Sequence, residues 1–289
     1  MPTGVQTPPS VLLCACVKLV HRQVFTERMI IDCHTHLDDD GGAEKLLQSM
    51  DEADIDASII IAETLPGDIS NVDQVLKAVR GSERLWAIVN CVFSKTVELK
   101  YVEDLTHLLQ EDRVVGLKFY LGYEEYSAND ERLHQLYEYC ETHDVPIMFH
   151  TGVLEAGSSG LLEYSHPLQV DRVATRFPNL TIIMAHMGNP WLIDCAAVLS
   201  KNENVYADMS AFFAENKSIT AHDVEVFKQR MEQVRVFLYS YEKFLFGTDY
   251  PLYSQKEYLG AVEALVMEPG EHEAVMHANA ARLFGVTIS

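Results

Sequence analysis

The sequence has little positive charge. It contains 22 Lys and Arg residues against 43 Asp and Glu residues among 289, which gives a formal net charge of −21. This balance argues against nucleic acid and anionic membrane surfaces as partners. The hydrophobic fraction of 48% is too high for an intrinsically disordered protein. We therefore expect a folded globular protein.

Long apolar runs and regularly spaced cysteines are also missing. The longest apolar stretch near the start, residues 11–17, is far shorter than the roughly 20 residues that cross a bilayer. The six cysteines follow no regular spacing, which favours reduced thiols in a cytoplasmic protein over a disulfide framework. Residues 1–28 are predicted to be a poorly ordered N-terminal extension, and residues 29–289 a single domain.

Eight short apolar runs alternate with amphipathic segments from Met29 onward, a pattern typical of βα units on a parallel sheet. Such units can close into a barrel or form an open doubly wound sheet. The first run leads into His34-Thr35-His36, where a dinucleotide-binding sheet would have a Gly-rich turn. This difference favours the barrel. The eight runs are residues 29–33, 57–62, 85–92, 114–119, 145–149, 180–185, 205–208 and 244–246.

Side chains that can bind a metal follow four of these runs directly. His34 and His36 follow the first, His150 the fifth, His186 the sixth and Asp249 the eighth. The carboxyl ends of barrel strands meet at one face, where active sites lie. Imidazole nitrogens and carboxylate oxygens are ligands that Zn²⁺ accepts. The sequence therefore predicts a metal site at this face.

Two further roles follow from residue chemistry. Asp249 can both bind a metal and accept a proton from water. The alternative to this functional role is that Asp249 is an ordinary helix N-cap. Lys118 lies near the end of the fourth run, at the predicted strand tip. It can become a carbamate that bridges two metals, or stay charged and bind a substrate carboxylate. Its alternative is a solvated lysine at the barrel rim.

The order of these side chains resembles the amidohydrolase superfamily, and specifically its amidohydrolase-related branch of metal-dependent hydrolases and decarboxylases. Residues 166–188, 204–208 and 279–285 are similar to the same branch. The resemblance covers residues 29–289 and implies an α/β fold, a single (β/α)8 TIM barrel. The side chains in question are His34, His36, Lys118, His150, His186 and Asp249.

By this resemblance, four residues would hold a catalytic divalent metal, usually zinc: His34, His36, His150 and Asp249. His186 would complete a second metal site or act as an acid, a base and a substrate orienter. We favour one ion, whereas binuclear members carry a second ion bridged by a carboxylated lysine, here Lys118.

The resemblance does not identify the residues on the substrate side of the pocket, because residues 119–122 depart from the pattern of many relatives. Glu63 and His166 are predicted to contact the substrate, and Asn90 and Glu155 also lie in loops that can line the pocket. The alternative for each of them is an ordinary loop residue.

The leading prediction is a cytoplasmic, metal-dependent hydrolase that cleaves a small amide, ester or lactone with metal-activated water. Asp249 would take the proton of the water, and His186 would help to stabilise the oxyanion. The alternative is a non-oxidative decarboxylase or hydratase, in which Lys118 grips a substrate carboxylate. A third hypothesis, a metal that only supports structure or binding, is disfavoured because structural zinc sites are normally closed by Cys and His. Whether the enzyme forms a homodimer stays open.

Overall fold

The computed structural model describes Met1 and residues 29–38, 42–65, 69–215 and 217–288. Apart from Met1, the predicted N-terminal extension, including Cys14 and Cys16, lies outside the described residues. The four cysteines within them, Cys33, Cys91, Cys140 and Cys195, are free and buried. No helix in the described part of the chain is both long enough and apolar enough to cross a membrane.

Eight parallel strands form one sheet, in the order β1-β2-β5-β6-β7-β8-β9-β10. Seven of the eight predicted runs contain one of these strands, and the first run overlaps β1, which extends two residues beyond it. The strands are β1 Ile31–Thr35, β2 Ala57–Ile61, β5 Leu85–Cys91, β6 Val114–Phe119, β7 Ile147–Phe149, β8 Ile182–Met184, β9 Val205–Asp208 and β10 Phe244–Leu245. A short antiparallel hairpin, β3 Thr64–Leu65 and β4 Ile69–Ser70, follows β2.

The sheet closes on itself between its first and last strands. The Cys33 N–H donates to the Phe246 carbonyl at 3.0 Å, and Thr35 pairs with Tyr250 in a parallel bridge. The fold is therefore a (β/α)8 TIM barrel, and this prediction is confirmed.

Helices surround the barrel. They are α1 Glu44–Ala53, α2 Val72–Arg80, α3 Leu99–Leu108, α4 His134–Thr142, α5 Leu162–Ser165, α6 Leu168–Arg176, α7 Leu192–Lys201, α8 Ala221–Leu238, α9 Gln255–Glu263, α10 Pro269–Glu273 and α11 Asn279–Phe284. A π-helical turn, residues 274–278, joins α10 to α11. The last helical segment, residues 269–284, is therefore continuous but irregular. It ends at Gly285, whose φ of +63° is the left-handed conformation typical of a helix C-cap.

The core has two parts because successive strand residues point to opposite faces. One set packs outward against the helices, where Phe119 and Phe149 contact the ring of Tyr137 from α4. The other set fills the barrel interior, where Phe284 of α11 packs with strand residues such as Ile59 and Ile183. The apolar interior supports the polar side chains at the carboxyl ends of the strands.

The pairing between β1 and β2 shifts register between Asp32 and Thr35. Cys33 packs in the barrel interior, so strict alternation would direct the next side chain away from it. Irregularities of this kind often lie beside functional sites and change where a side chain points. Here the shift lies at His34, the first predicted metal ligand.

Candidate metal centre

Three predicted ligands meet at the carboxyl ends of β1 and β10. Asp249 Oδ1 lies 3.2 Å from His36 Nε2 and 3.5 Å from His34 Nε2, and the three donor atoms lie within 4.8 Å of one another. The ligand atoms of a tetrahedral ion bound at about 2.0–2.1 Å lie roughly 3.3 Å apart. The two measured distances match this spacing, so the three side chains fit a divalent metal ion.

Hydrogen bonds orient both imidazoles toward this point. The Nδ1 atom of His34 lies 2.8 Å from Asp208 Oδ2, and that of His36 lies 3.0 Å from the Ile61 carbonyl oxygen. Carboxylate and carbonyl oxygens only accept, so each Nδ1 carries the proton. Such partners are typical of metal-binding histidines, and they leave both Nε2 atoms to face Asp249.

The charges of the site are strongly coupled. Burial alone would raise the pKa of Asp249, but the hydrogen bond from His36 and the neighbouring imidazoles outweigh it and hold the pKa well below its usual value. Burial lowers the pKa of His34. Burial also acts to lower the pKa of His36, but Asp249 raises it overall. A proton on His36 and a divalent cation therefore compete for the same carboxylate.

Asp249 is not a helix N-cap. Ser254 performs that role for α9, because its side chain accepts the Glu257 N–H. Asp249 instead adopts a left-handed backbone conformation, with φ +65°. This conformation is uncommon outside glycine and is concentrated at functional sites. The Asp249 N–H donates to the His34 carbonyl at 2.8 Å, which ties the conformation to β1.

His186 and His150 lie next to this group of three. The His186 ring lies 4.7 Å from that of His34 and 4.9 Å from that of His150, measured between centroids. Burial lowers the pKa of His186 to about 3, and burial with the neighbouring His186 holds that of His150 well below its usual value. His150 Nε2 donates to the Val153 carbonyl at 3.0 Å. Its Nδ1 is therefore the atom that can bind a metal.

Lys118 is not a solvated lysine at the rim, since only 1% of it is exposed. Burial lowers the pKa of Lys118 to about 8, although Asp208 and Asp249 oppose this shift. The ammonium lies 5.3 Å from the centre of the Tyr120 ring. Among the described residues no carboxylate lies within ion-pair distance of it. Lys118 is thus a buried cation of the site without a carboxylate partner of its own.

A second group of possible ligands consists of His34, His186 and Asp208. Asp208 Oδ2 lies at hydrogen-bond distance from His34 Nδ1, 2.8 Å away. An ion between them would need about 2 Å to each atom and would displace that proton. We therefore interpret the second group as a hydrogen-bond network that supports the first. Asp208 was not among the site residues predicted from the sequence, although it too is a polar residue at the end of a strand.

The predicted substrate residues are scattered. Glu63 Oε2 lies 3.8 Å from His36 Nδ1, at the edge of the centre. His166 Nδ1 accepts the Leu168 N–H, and its ring contacts Trp191. Within the described part of the chain, His166 makes no hydrogen bond, ion pair or ring contact with the predicted metal ligands. Asn90 is buried at the end of β5, and Glu155 is exposed.

The family model described as Amidohydrolase matches residues 31–286. The chain belongs to this amidohydrolase family. None of the curated proteins compared with the chain matches it. The match extends from β1 to just beyond α11, and so includes every strand of the barrel and all the predicted metal ligands.

Solved structures share the fold at low identity. An uncharacterised TIM-barrel protein from Bordetella bronchiseptica has 21% identity and a TM-score of 0.71, covering 89% of this chain and 99% of its own. A probable 2-pyrone-4,6-dicarboxylic acid hydrolase from Acinetobacter baumannii has 15% identity and a TM-score of 0.64, covering 89% of this chain and 100% of its own. A 5-carboxyvanillate decarboxylase from Novosphingobium aromaticivorans, complexed with manganese, has 14% identity and a TM-score of 0.64, covering 90% of this chain and 96% of its own. Several further similar structures are dihydroxybenzoate decarboxylases.

Proposed function

We propose that this protein is a metal-dependent, non-oxidative decarboxylase of a small carboxylated metabolite. The observation that carries the proposal is Lys118, a buried cation beside the metal ligands with no carboxylate partner among the described residues. The decarboxylases among the similar structures support it. This assignment reverses the order of the two activities expected from the sequence.

Lys118 binds the substrate carboxylate in this proposal. With a pKa of about 8, it stays mostly protonated at neutral pH and can donate hydrogen bonds to a carboxylate. Tyr120 lies beneath the ammonium, and the Tyr123 ring meets the His150 ring edge-on at 4.9 Å. These aromatic side chains provide apolar surface for a planar substrate.

Asp249 carries the proton. His34, His36 and Asp249 would hold a divalent cation, either zinc or manganese, which when bound would supply Lewis acidity. Asp249 takes up a proton from solvent and delivers it to the carbon that bears the carboxylate, so the reaction consumes one proton overall. The electron pair of the carbon–carbon bond stays on that carbon while CO2 leaves. His186 is neutral and accepts a hydrogen bond from a polar group of the substrate.

Hydrolysis of an ester or lactone is the second candidate. The same Asp249 can take a proton from attacking water and return it to the leaving oxygen. One similar structure is a probable 2-pyrone-4,6-dicarboxylic acid hydrolase. In this case a carboxylated Lys118 and a second metal ion become compatible with the chemistry.

The test is a direct comparison of the two reactions. The full chain, loaded with zinc or manganese, is incubated with a panel of hydroxylated benzoates and a panel of lactones and esters. Release of CO2 from the benzoates supports decarboxylation. Ring opening of a lactone or cleavage of an ester, without any release of CO2, would contradict decarboxylation and support hydrolysis. Asp249→Asn removes the proton carrier and should abolish either activity. Asp73→Asn, an exposed change in α2, serves as the matched control.

A further inference from the structure

Asp208 connects two histidines of the site. It ends β9 and is fully buried. Its Oδ2 atom accepts the Nδ1–H of His34 at 2.8 Å. Its Oδ1 atom accepts three donors, namely the backbone N–H of His186 at 3.0 Å, the backbone N–H of Ser210 at 3.1 Å, and the Ser210 hydroxyl. The carboxylate is therefore saturated with donors.

The single hydroxyl proton of Ser210 determines the tautomer of His186. This proton is donated to Asp208 Oδ1, because an ionised carboxylate can only accept. Ser210 Oγ also lies 2.8 Å from His186 Nδ1. Since the hydroxyl has no second proton to donate, it must accept there. His186 therefore carries its proton on Nδ1.

We propose that Asp208 and Ser210 are positioning residues that fix His34 and His186 as Nδ1–H tautomers, so that both unprotonated Nε2 atoms face the metal and the substrate. For His34 this means a lone pair aimed at the metal site, as its 3.5 Å distance to Asp249 indicates. For His186 it means a hydrogen-bond acceptor rather than a donor. The inference rests on the proposed metal site, but its test requires no catalytic activity.

The sequence around β9 provides this arrangement. Asp208 and Ser210 are separated by one residue, so an extended strand end can present both to the same side, while the intervening Met209 is buried in the outer core. His186 has a left-handed backbone, with φ +61°. Its N–H is held by Asp208 Oδ1 at 3.0 Å. One carboxylate thus fixes both the backbone and, through Ser210, the ring of His186.

Nitrogen NMR of the full chain, metal-free and labelled with ¹⁵N-histidine, reads the tautomers directly. Protonated and unprotonated ring nitrogens of neutral imidazole have different shifts and different couplings to the ring protons. His34→Gln and His186→Gln assign the signals, because each removes one histidine of the 12. We expect Nδ1–H for both residues in the wild type. A wild-type His186 protonated at Nε2 would overturn the proposal, whatever any variant does.

Ser210→Ala removes the acceptor for His186 and should shift His186 partly or fully to Nε2–H, while His34 stays Nδ1–H. Ser210→Thr keeps the hydroxyl and should restore the wild-type spectrum. Ser200→Ala, an exposed change in α7, is the control. An Nδ1–H tautomer in Ser210→Ala equal to that of the wild type would show that Ser210 does not set it.

Asp208→Asn tests the part of the proposal that concerns His34. Three donors converge on the Oδ1 position, so the amide oxygen takes that place and the NH2 group faces His34. His34 Nδ1 must then accept a hydrogen bond from this NH2 group. The His34 proton moves to Nε2, the atom proposed to bind the metal. We expect the affinity for zinc, measured by competition with a chromophoric chelator, to fall about 10- to 100-fold. An unchanged affinity together with an unchanged His34 tautomer would refute this role.

These outcomes are separable from those of the proposed function. A protein with the expected tautomers and metal affinity but no turnover of either substrate panel would contradict the proposed activity alone. An active decarboxylase with Nε2–H on His186 would contradict only the positioning role.

Discussion

His36 Nε2 lies 3.2 Å from Asp249 Oδ1, and these two residues follow the first and the last strand of the barrel. They meet because β1 closes against the chain after β10, through the bonds from Cys33 to Phe246 and from Asp249 to His34. The group of three proposed metal ligands therefore comes together only when the barrel is closed. In the proposed site, this relationship would couple metal binding to folding.

Metal binding should stabilise the protein. A ligand that binds only the folded state, at a free concentration a hundredfold above its Kd, adds about 2.7 kcal/mol to the free energy of unfolding. We expect zinc or manganese to raise the unfolding temperature of chelator-treated protein by several degrees. Differential scanning calorimetry measures the shift. His36→Ala should remove it, and an equal shift in that variant would place the ion elsewhere.

Loss of the Lys118 charge should weaken substrate binding. Removing one partner of a buried charge pair costs about 2 kcal/mol or more, which corresponds to roughly a thirtyfold loss in kcat/KM, carried mainly by KM. Lys118→Met is measured on the best substrate of the panel, with Lys77→Met, an exposed change in α2, as the control.

The metal content of the same Lys118→Met variant distinguishes the two roles of the lysine. One equivalent of metal in both the wild type and the variant supports an ammonium that binds substrate. A fall from two equivalents to one would instead show a bridging carbamate and contradict carboxylate binding by Lys118.

The barrel was predictable because its strands are short, continuous and apolar, as expected of strands buried on both faces. The ends of these runs also located His34, His36 and Asp249, since polar residues directly after buried strands gather at one face. Both levels of prediction depend on local patterns that a single chain displays.

The supporting network was not predictable in this way. Asp208 and Ser210 follow a strand as the metal ligands do, but their roles depend on contacts with His34 and His186 across the barrel. The register shift in β1 has no local signal either, because it depends on pairing with β2. These features arise from closure and register, which are long-range properties of the fold.

Glu271 should make the stability dependent on pH. Its carboxylate accepts the backbone N–H groups of Glu268 at 2.8 Å and Tyr241 at 3.1 Å, and it lies 3.3 Å from Arg235. Burial acts to raise the pKa of Glu271, but these partners outweigh it and lower the pKa below the usual 4.5. The stabilisation is therefore present above about pH 4.5 and is lost as the pH falls through the lowered pKa.

Glu271→Gln tests this linkage. The amide can replace one acceptor but not both, so we expect a loss of about 1–3 kcal/mol at pH 7, measured by urea unfolding. The difference from the wild type should shrink below pH 4.5, where the wild-type carboxylate also becomes protonated. Glu273→Gln changes an exposed charge in the same helix and should have little effect. If the difference in the free energy of unfolding between Glu271→Gln and the wild type stayed constant with pH, the ionised Glu271 carboxylate would not be the stabilising group.

Gly247 keeps space for His34. A Cβ atom at position 247 would lie 2.9 Å from the Cβ of His34, which cannot retreat because it is bonded directly to the backbone of β1. Gly247→Ala should therefore displace the imidazole, lower the metal affinity and destabilise the fold by about 1–3 kcal/mol through overpacking. Isothermal titration with zinc and urea unfolding measure the two effects.

Gly260→Ala provides the matched control for Gly247→Ala. A Cβ at position 260, within α9, would meet nothing within 4 Å, so this substitution should stabilise the helix by about 0.5–1 kcal/mol and leave metal affinity unchanged. If Gly247→Ala bound zinc as tightly as Gly260→Ala, the position of His34 would not depend on the close approach of β10. The metal centre would then tolerate movement between the two strands that close the barrel.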